Sequence, residues 1–209
     1  MIKRRPLAAG TAAVAAALAL TAPALAQRSD DRTALETLAT YTSCAVKMTP
    51  DGAVALLQID PESADFAAAQ RRYAVGHERC LPRGGRLAFG GLLFSGFLAE
   101  ALFRDRLSAQ ALTDAAALTV DGAGAGSIAE GIGRCMARRQ PAALEQLFRT
   151  TPGSADETSA LQLTGTDLPA CVPQGVTMTL NKPAARAMYA LGAYALLAGN
   201  SRGEQSEAN

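Results

Sequence analysis

Four cysteines and one spacing constrain this chain more than any other feature in it. Cys44 and Cys80 are 36 residues apart, Cys135 and Cys171 are also 36 apart, and a single offset of 91 superposes the two pairs. At that offset Pro50 meets Pro141, Leu56 meets Leu147, and Pro61, Ser63, Ala64 and Asp65 meet Pro152, Ser154, Ala155 and Asp156. Ala69 then meets Ala160, and Cys80, Pro82 and Gly84 meet Cys171, Pro173 and Gly175. These are 11 identities over the 41 positions from Cys44 to Gly84. An alanine-rich composition gives roughly 3 or 4 by chance, so the excess reads as an internal duplication. The two halves share cysteines and turn residues rather than reactive polar groups. What the repeat predicts is therefore common architecture, with the disulfide as the common chemistry.

Four cysteines allow three pairings. An ancestral single unit could have formed only the within-unit bond, which favours Cys44 with Cys80 and Cys135 with Cys171. Each bond closes a loop of about 37 residues, worth about 3.8 kcal/mol in the chain-entropy description. Structural zinc needs closely spaced Cys or His pairs, whereas here the cysteines are at least 36 residues apart and His77 is the only histidine. No Cys-x-x-Cys redox motif is present. No metal or other cofactor is expected.

The amino terminus explains why the cysteines should be oxidised. Lys3, Arg4 and Arg5 precede an uncharged run from Leu7 to Leu20, and Pro23 precedes Ala24-Leu25-Ala26, a small-x-small cleavage site. This is the tripartite pattern of a secretory signal over residues 1–26, which sends the protein to the periplasm or outside the cell, where disulfides persist. Alanine dominates the run and Pro23 interrupts its end, which argues against a retained membrane anchor. Arg4-Arg5 resembles a twin-arginine signal but lacks the residues that complete one. Removing Lys3, Arg4 and Arg5 takes the balance from 20 basic and 19 acidic residues to 17 and 19, a net charge of −2. Such a chain has no basic footprint for nucleic acid and little overall charge to draw it to an anionic membrane.

The mature segment reads as helical. Thr33 to Glu36, Ser127 to Glu130 and Ser154 to Glu157 are capping boxes, which start helices at 34–48, 128–139 and 155–163. Pro50 and Pro141 suit a first helical turn and predict helices at 50–58 and 141–149; Ser63 caps a helix to about Val75. Helices at 91–106 and 183–198 end the two units, the second opened by Asn181 and Pro183, and 108–118 reads as a connecting helix. Val176, Met178 and Leu180 alternate with Thr177 and Thr179, the period of a half-buried strand, and Leu87 and Phe89 repeat it faintly. The expected fold is thus all-α with at most short strands, built from duplicated, disulfide-stapled units that share one core. Unit one spans 27–107, a connecting helix and Gly-rich linker 108–126, unit two 127–199 and a polar tail 200–209. The two unit-ending helices are apolar nearly all round, with Phe94, Phe97 and Leu98 in the first and Met188, Tyr189 and Leu196 in the second. Helices without a polar stripe belong in a core, although Glu100 interrupts the first. At roughly 65 residues each, neither unit supports a large core alone, so these helices should cover each other.

Catalytic signals are sparse. His77-Glu78 is the one place where a neutral-pH base adjoins a carboxylate, and it is the weak candidate site; the plainer reading is a solvated loop before Cys80. A single histidine cannot build a multi-histidine metal centre, and no Gly-x-Ser-x-Gly elbow surrounds a serine. Gly124-x-Gly126-x-x-Ala129 fits the dinucleotide fingerprint formally, but no second strand-helix unit follows. Arg71, Arg72, Arg79, Arg83 and Arg86 form a basic cluster that reads as a solvated face or an anion or partner contact. The expected function is accordingly an exported, non-catalytic helical protein with a partner-binding or structural role. The alternatives are a carrier of a small apolar ligand and, behind it, an enzyme using His77.

Overall fold

The computed structural model describes residues 22–61, 63–83, 88–118 and 126–207. The basic residues and apolar run of the signal, Gly84, Arg86, Leu87 and most of the Gly-rich linker, including Gly124, lie outside them. Ten helices are described: α1 (Ala22–Met48), α2 (Pro50–Leu57), α3 (Ala64–Gly76), α4 (Gly91–Phe103), α5 (Ala109–Leu118), α6 (Ile128–Arg139), α7 (Pro141–Arg149), α8 (Ala155–Thr164), α9 (Leu168–Cys171) and α10 (Lys182–Glu207). Among the described residues there is no strand, and no helix is long and apolar enough to cross a membrane.

Local chemistry accounts for most of the helix starts. Pro50 and Pro141 occupy the first turns of α2 and α7, where the missing N–H costs nothing. Ser63 Oγ accepts from Phe66 N at 3.1 Å, Ser127 Oγ from Glu130 N at 3.2 Å and Ser154 Oγ from Glu157 N at 3.1 Å, so three of the expected caps form. Asn181 Oδ1 accepts from Ala184 N at 2.9 Å and starts α10. Thr33 does not cap: α1 already runs from Ala22, and Glu36 pairs with Arg32 at 2.8 Å instead. A cut after Ala26 would remove only the first residues of this helix.

Two elements differ from their sequence reading. Residues 176–181 form no regular element, with Met178 exposed beside half-buried Val176 and Leu180; alternation without a neighbouring ladder makes no strand. The last helix continues to Glu207 rather than ending near Ala198.

Both disulfides have the within-unit pairing. Cys44 and Cys80 have Cα atoms 5.7 Å apart, and Cys135 and Cys171 5.6 Å. The first fastens α1 to the tight turn at Glu78–Cys80, the second α6 to α9. Residue by residue, α2 and α7, α3 and α8, and α4 and α10 each begin 91 positions apart.

The core runs through α4. Phe94, Phe97 and Leu98 pack with Leu38, Tyr41 and Phe66 of α1 and α3, while Ala99 and Phe103 pack with Leu112, Met136 and Tyr189 of α5, α6 and α10. The two unit-ending helices thus meet in a shared core, as their largely apolar surfaces require. They meet closely: a Cβ on Gly96 would lie 2.3 Å from Ala187 Cα. On its other side α10 crosses α6 just as tightly, where a Cβ on Gly192 would lie 1.9 Å from the Gly133 carbonyl carbon. Only the absence of a side chain permits backbones to approach this far.

Candidate functional site

His77 ends α3 and is buried, 5% exposed, where a solvated loop was expected. Its Nδ1 lies 2.7 Å from Tyr73 O and its Nε2 2.7 Å from Thr49 Oγ1. A carbonyl only accepts, so Nδ1 carries the proton and Nε2 accepts from the threonine hydroxyl. The ring also stacks on Tyr73 at 4.2 Å between centroids. Glu78 is exposed, and the ring's two partners are Thr49 and Tyr73, so His77 and Glu78 do not work together. A hydroxyl on an oriented imidazole is the geometry of a nucleophile and its base. The bond ties the start of α2 to the end of α3; in the second half Gln140, 91 residues after Thr49, ties the start of α7 to the residue before α9, its Nε2 donating to Asp167 Oδ2 at 2.5 Å. That bond, with the one from Arg139, holds the Asp167 carboxyl below its usual range.

The other expected features fall apart in space. Arg71, Arg72, Arg79 and Arg83 are exposed, and Arg79 Nε is 3.2 Å from Met48 Sδ. Leu118 ends helix α5, as the connecting helix read over 108–118 requires. Among the described residues no group of three or more His, Cys, Asp or Glu side chains could hold a metal.

A cavity of about 920 Å³ opens beside the α4–α10 crossing. Val54, Leu57, Ile59, Leu102, Phe103 and Leu191 supply apolar wall, and Asp51, Asp60, Asp114, Arg106, Glu130 and Arg134 supply charge. Glu130 and Arg134 are ion-paired one turn apart on α6. Ser95 of α4 also lines the cavity; it is 1% exposed and its Oγ has no hydrogen-bond partner among the described residues. An unpaired buried hydroxyl costs about 1–3 kcal/mol, and a ligand atom that bonds to it recovers that. The cavity lies to the side of the long helices, not between them, since Gly96 and Ala187 close that space.

Across the same crossing sits a group of buried charges. Arg186 is fully buried, with Glu100 and Glu157 1% and 2% exposed. Its Nε donates to Glu100 Oε2 and its Nη2 to Glu100 Oε1, both at 2.8 Å, and its Nη1 donates to Glu157 Oε1 at 3.0 Å. Further bonds reach Leu147 O, Thr150 Oγ1 and Thr150 O at 3.1–3.3 Å. The guanidinium carbon also lies 5.7 Å from the centroid of Phe148, a cation–π distance. Arg104 supplies Glu100 with a second cation at 2.8 Å. Burial works against the arginine charge, but Glu100 and Glu157 outweigh it and raise the Arg186 pKa above its ordinary value. The group joins α4, α7, α8 and α10, and every charge in it has a partner. Sequence reasoning missed it; the signal was a single charge in each of two otherwise apolar stretches, Glu100 and Arg186.

No protein-family model matches the chain, and no curated protein and no solved structure matches it either.

Proposed function

We propose that this chain is an exported, non-catalytic binding protein whose cavity beside α4 and α10 takes a small, mainly apolar molecule. The observation that carries the reading is the cavity itself, whose 920 Å³ lies within the range of small-molecule sites, about 300–1,000 Å³. Its wall sets apolar side chains beside charged and polar ones in similar measure, which suits a molecule with an apolar body and a polar group. Support for export comes from the tripartite amino terminus and from two disulfides, which favour an oxidising compartment. Duplication of an ancestral stapled unit accounts for the recurring helix starts. The partner-binding role favoured by the sequence finds less support. The large exposed apolar side chains Val75, Leu118, Ile128, Leu163 and Met178 sit on five separate segments, and isolated apolar residues are ordinary surface.

The test uses the full chain expressed with its own amino terminus in an exporting bacterium. The product should begin at Gln27 and carry no thiols, and the hydrocarbon probe 1,6-diphenylhexatriene should bind it saturably at one site per chain. Intact Met1 in a membrane fraction would overturn export; absence of saturable probe binding would overturn the ligand reading.

A further inference from the structure

The cavity has a counterpart in the same chain. Under the 91-residue offset Gly96 corresponds to Ala187, and these two residues touch at the α4–α10 crossing. A residue packed against its own equivalent is what an approximate two-fold axis produces. Arg186 reaches Glu100 on one side of that crossing. The equivalents of these two are Ser95 and Leu191, and both line the cavity on the other side. Phe103 packs on Phe148 with centroids 5.1 Å apart; their equivalents Tyr194 and Leu57 both line the cavity too.

We propose that the cavity is the counterpart of the Arg186 site, opened because serine stands where the other half has arginine, and that its Ser95 hydroxyl selects uncharged, oxygen-bearing apolar molecules such as long-chain alcohols or ketones. This rests on the reading that the cavity binds a small molecule and adds its chemical class. The side chains that satisfy the Arg186 charge have apolar equivalents: Glu100 corresponds to Leu191, Glu157 to Phe66 and Thr150 to Ile59, of which Leu191 and Ile59 line the cavity. An anion brought to Ser95 would meet only Arg134, already paired with Glu130, and the exposed Arg106, and an uncompensated buried charge is strongly unfavourable. A neutral oxygen gives the unpaired hydroxyl its partner with no such penalty. The charged residues around the cavity also disfavour an anion, since Asp51, Asp60, Asp114 and Glu130 outnumber Arg106 and Arg134.

The experiment is displacement of 1,6-diphenylhexatriene from the full-length exported product by 1-decanol and by decanoate at pH 7. Decanol should displace at a concentration at least tenfold lower than decanoate. S95A should weaken decanol roughly five- to tenfold, the value of one neutral hydrogen bond of about 1–1.5 kcal/mol, and leave probe binding unchanged because the probe has no polar atom. S95L should abolish probe and decanol binding together; S95A, which removes only an unpaired hydroxyl from a helix, keeps the test independent of whether S95L folds. Equal displacement by decanoate, or an unchanged decanol affinity in S95A, overturns the assignment of Ser95 while leaving the cavity reading standing. A wild-type protein that does not bind the probe overturns both.

Discussion

Replacing Arg186 with methionine would remove a charge from a place where water cannot take over its role. Three of its hydrogen bonds go to carboxylate oxygens of Glu100 and Glu157, and three go to Leu147 and Thr150. At about 1.5–3 kcal/mol for each bond to a charged group, the three carboxylate bonds alone amount to roughly 5–9 kcal/mol before desolvation is counted. The desolvation of the arginine itself, several kcal/mol, offsets part of this, and breaking one partner of a buried ion group typically costs about 3–5 kcal/mol. Glu100 keeps Arg104, so Glu157 is left the poorer, with the Gly153 N–H at 2.7 Å. The deficit against wild type should therefore be about 3–5 kcal/mol at pH 7, and adding E157Q, which removes the stranded carboxylate, should recover part of it. Guanidinium denaturation followed by far-ultraviolet circular dichroism, with disulfides intact, measures all of this. A loss under about 1 kcal/mol, or no recovery on adding E157Q, would show that the arginine is solvated and the reasoning wrong.

Other perturbations probe other joints of the fold. Gly192→Ala should lose about 1–2 kcal/mol net, because overpacking at about 1–3 kcal/mol exceeds the helix propensity gained, whereas Gly199→Ala, which meets nothing within 4 Å, should be neutral or stabilising; denaturant midpoints of the two variants decide. Non-reducing peptide mapping should recover only Cys44 with Cys80 and Cys135 with Cys171, and a peptide joining Cys44 to Cys135 would contradict the structure. Burial, with Tyr73 nearby, pushes the Tyr41 phenol up to about 12. Its contribution to stability is thus complete below the unfolded value near 10 and is lost as pH rises from there through 12; phenolate absorbance that is complete by pH 10.5 without unfolding would refute its burial. In a double-mutant cycle, S95R and L191E should destabilise singly but couple favourably by at least ~1 kcal/mol, since together they recreate the Arg186–Glu100 pair on the other side of the crossing.

How much of this was legible in the sequence depends on how local the signal is. Ser63, Ser127, Ser154, Pro50 and Pro141 act within one turn of themselves, so the helices they start were readable. The disulfide pairing was readable because the repeat reduced three possibilities to one. The stretch at Val176 to Leu180 misled because alternation describes one strand, while a sheet needs two. His77 misled for a tertiary reason. Its bond to Tyr73 lies within its own helix, but burial comes from Thr49, 28 residues away, and the Cys44–Cys80 disulfide three residues on holds the two segments together.

The Arg186 group and the cavity were hidden by one missing fact, the point at which α4 crosses α10. With Gly96 placed against Ala187, Glu100 stands four residues past its side of the crossing and Arg186 one residue before its own, close enough to pair; Ser95 and Leu191 then stand in the corresponding places. A framework whose helix starts recur 91 positions apart offers each such place twice. Filling one with an arginine and two carboxylates commits it to joining four helices, since a fully paired buried charge has nothing left to offer a ligand. The other, with leucine, phenylalanine and isoleucine at the positions of the acceptor side chains and serine in place of the arginine, has no such ion group and does not fill its space. Divergence at four positions between equivalent sites thus yields one clasp and one cavity from the same framework. The fold tolerates the cavity because the disulfides and the α6–α10 crossing carry its stability elsewhere.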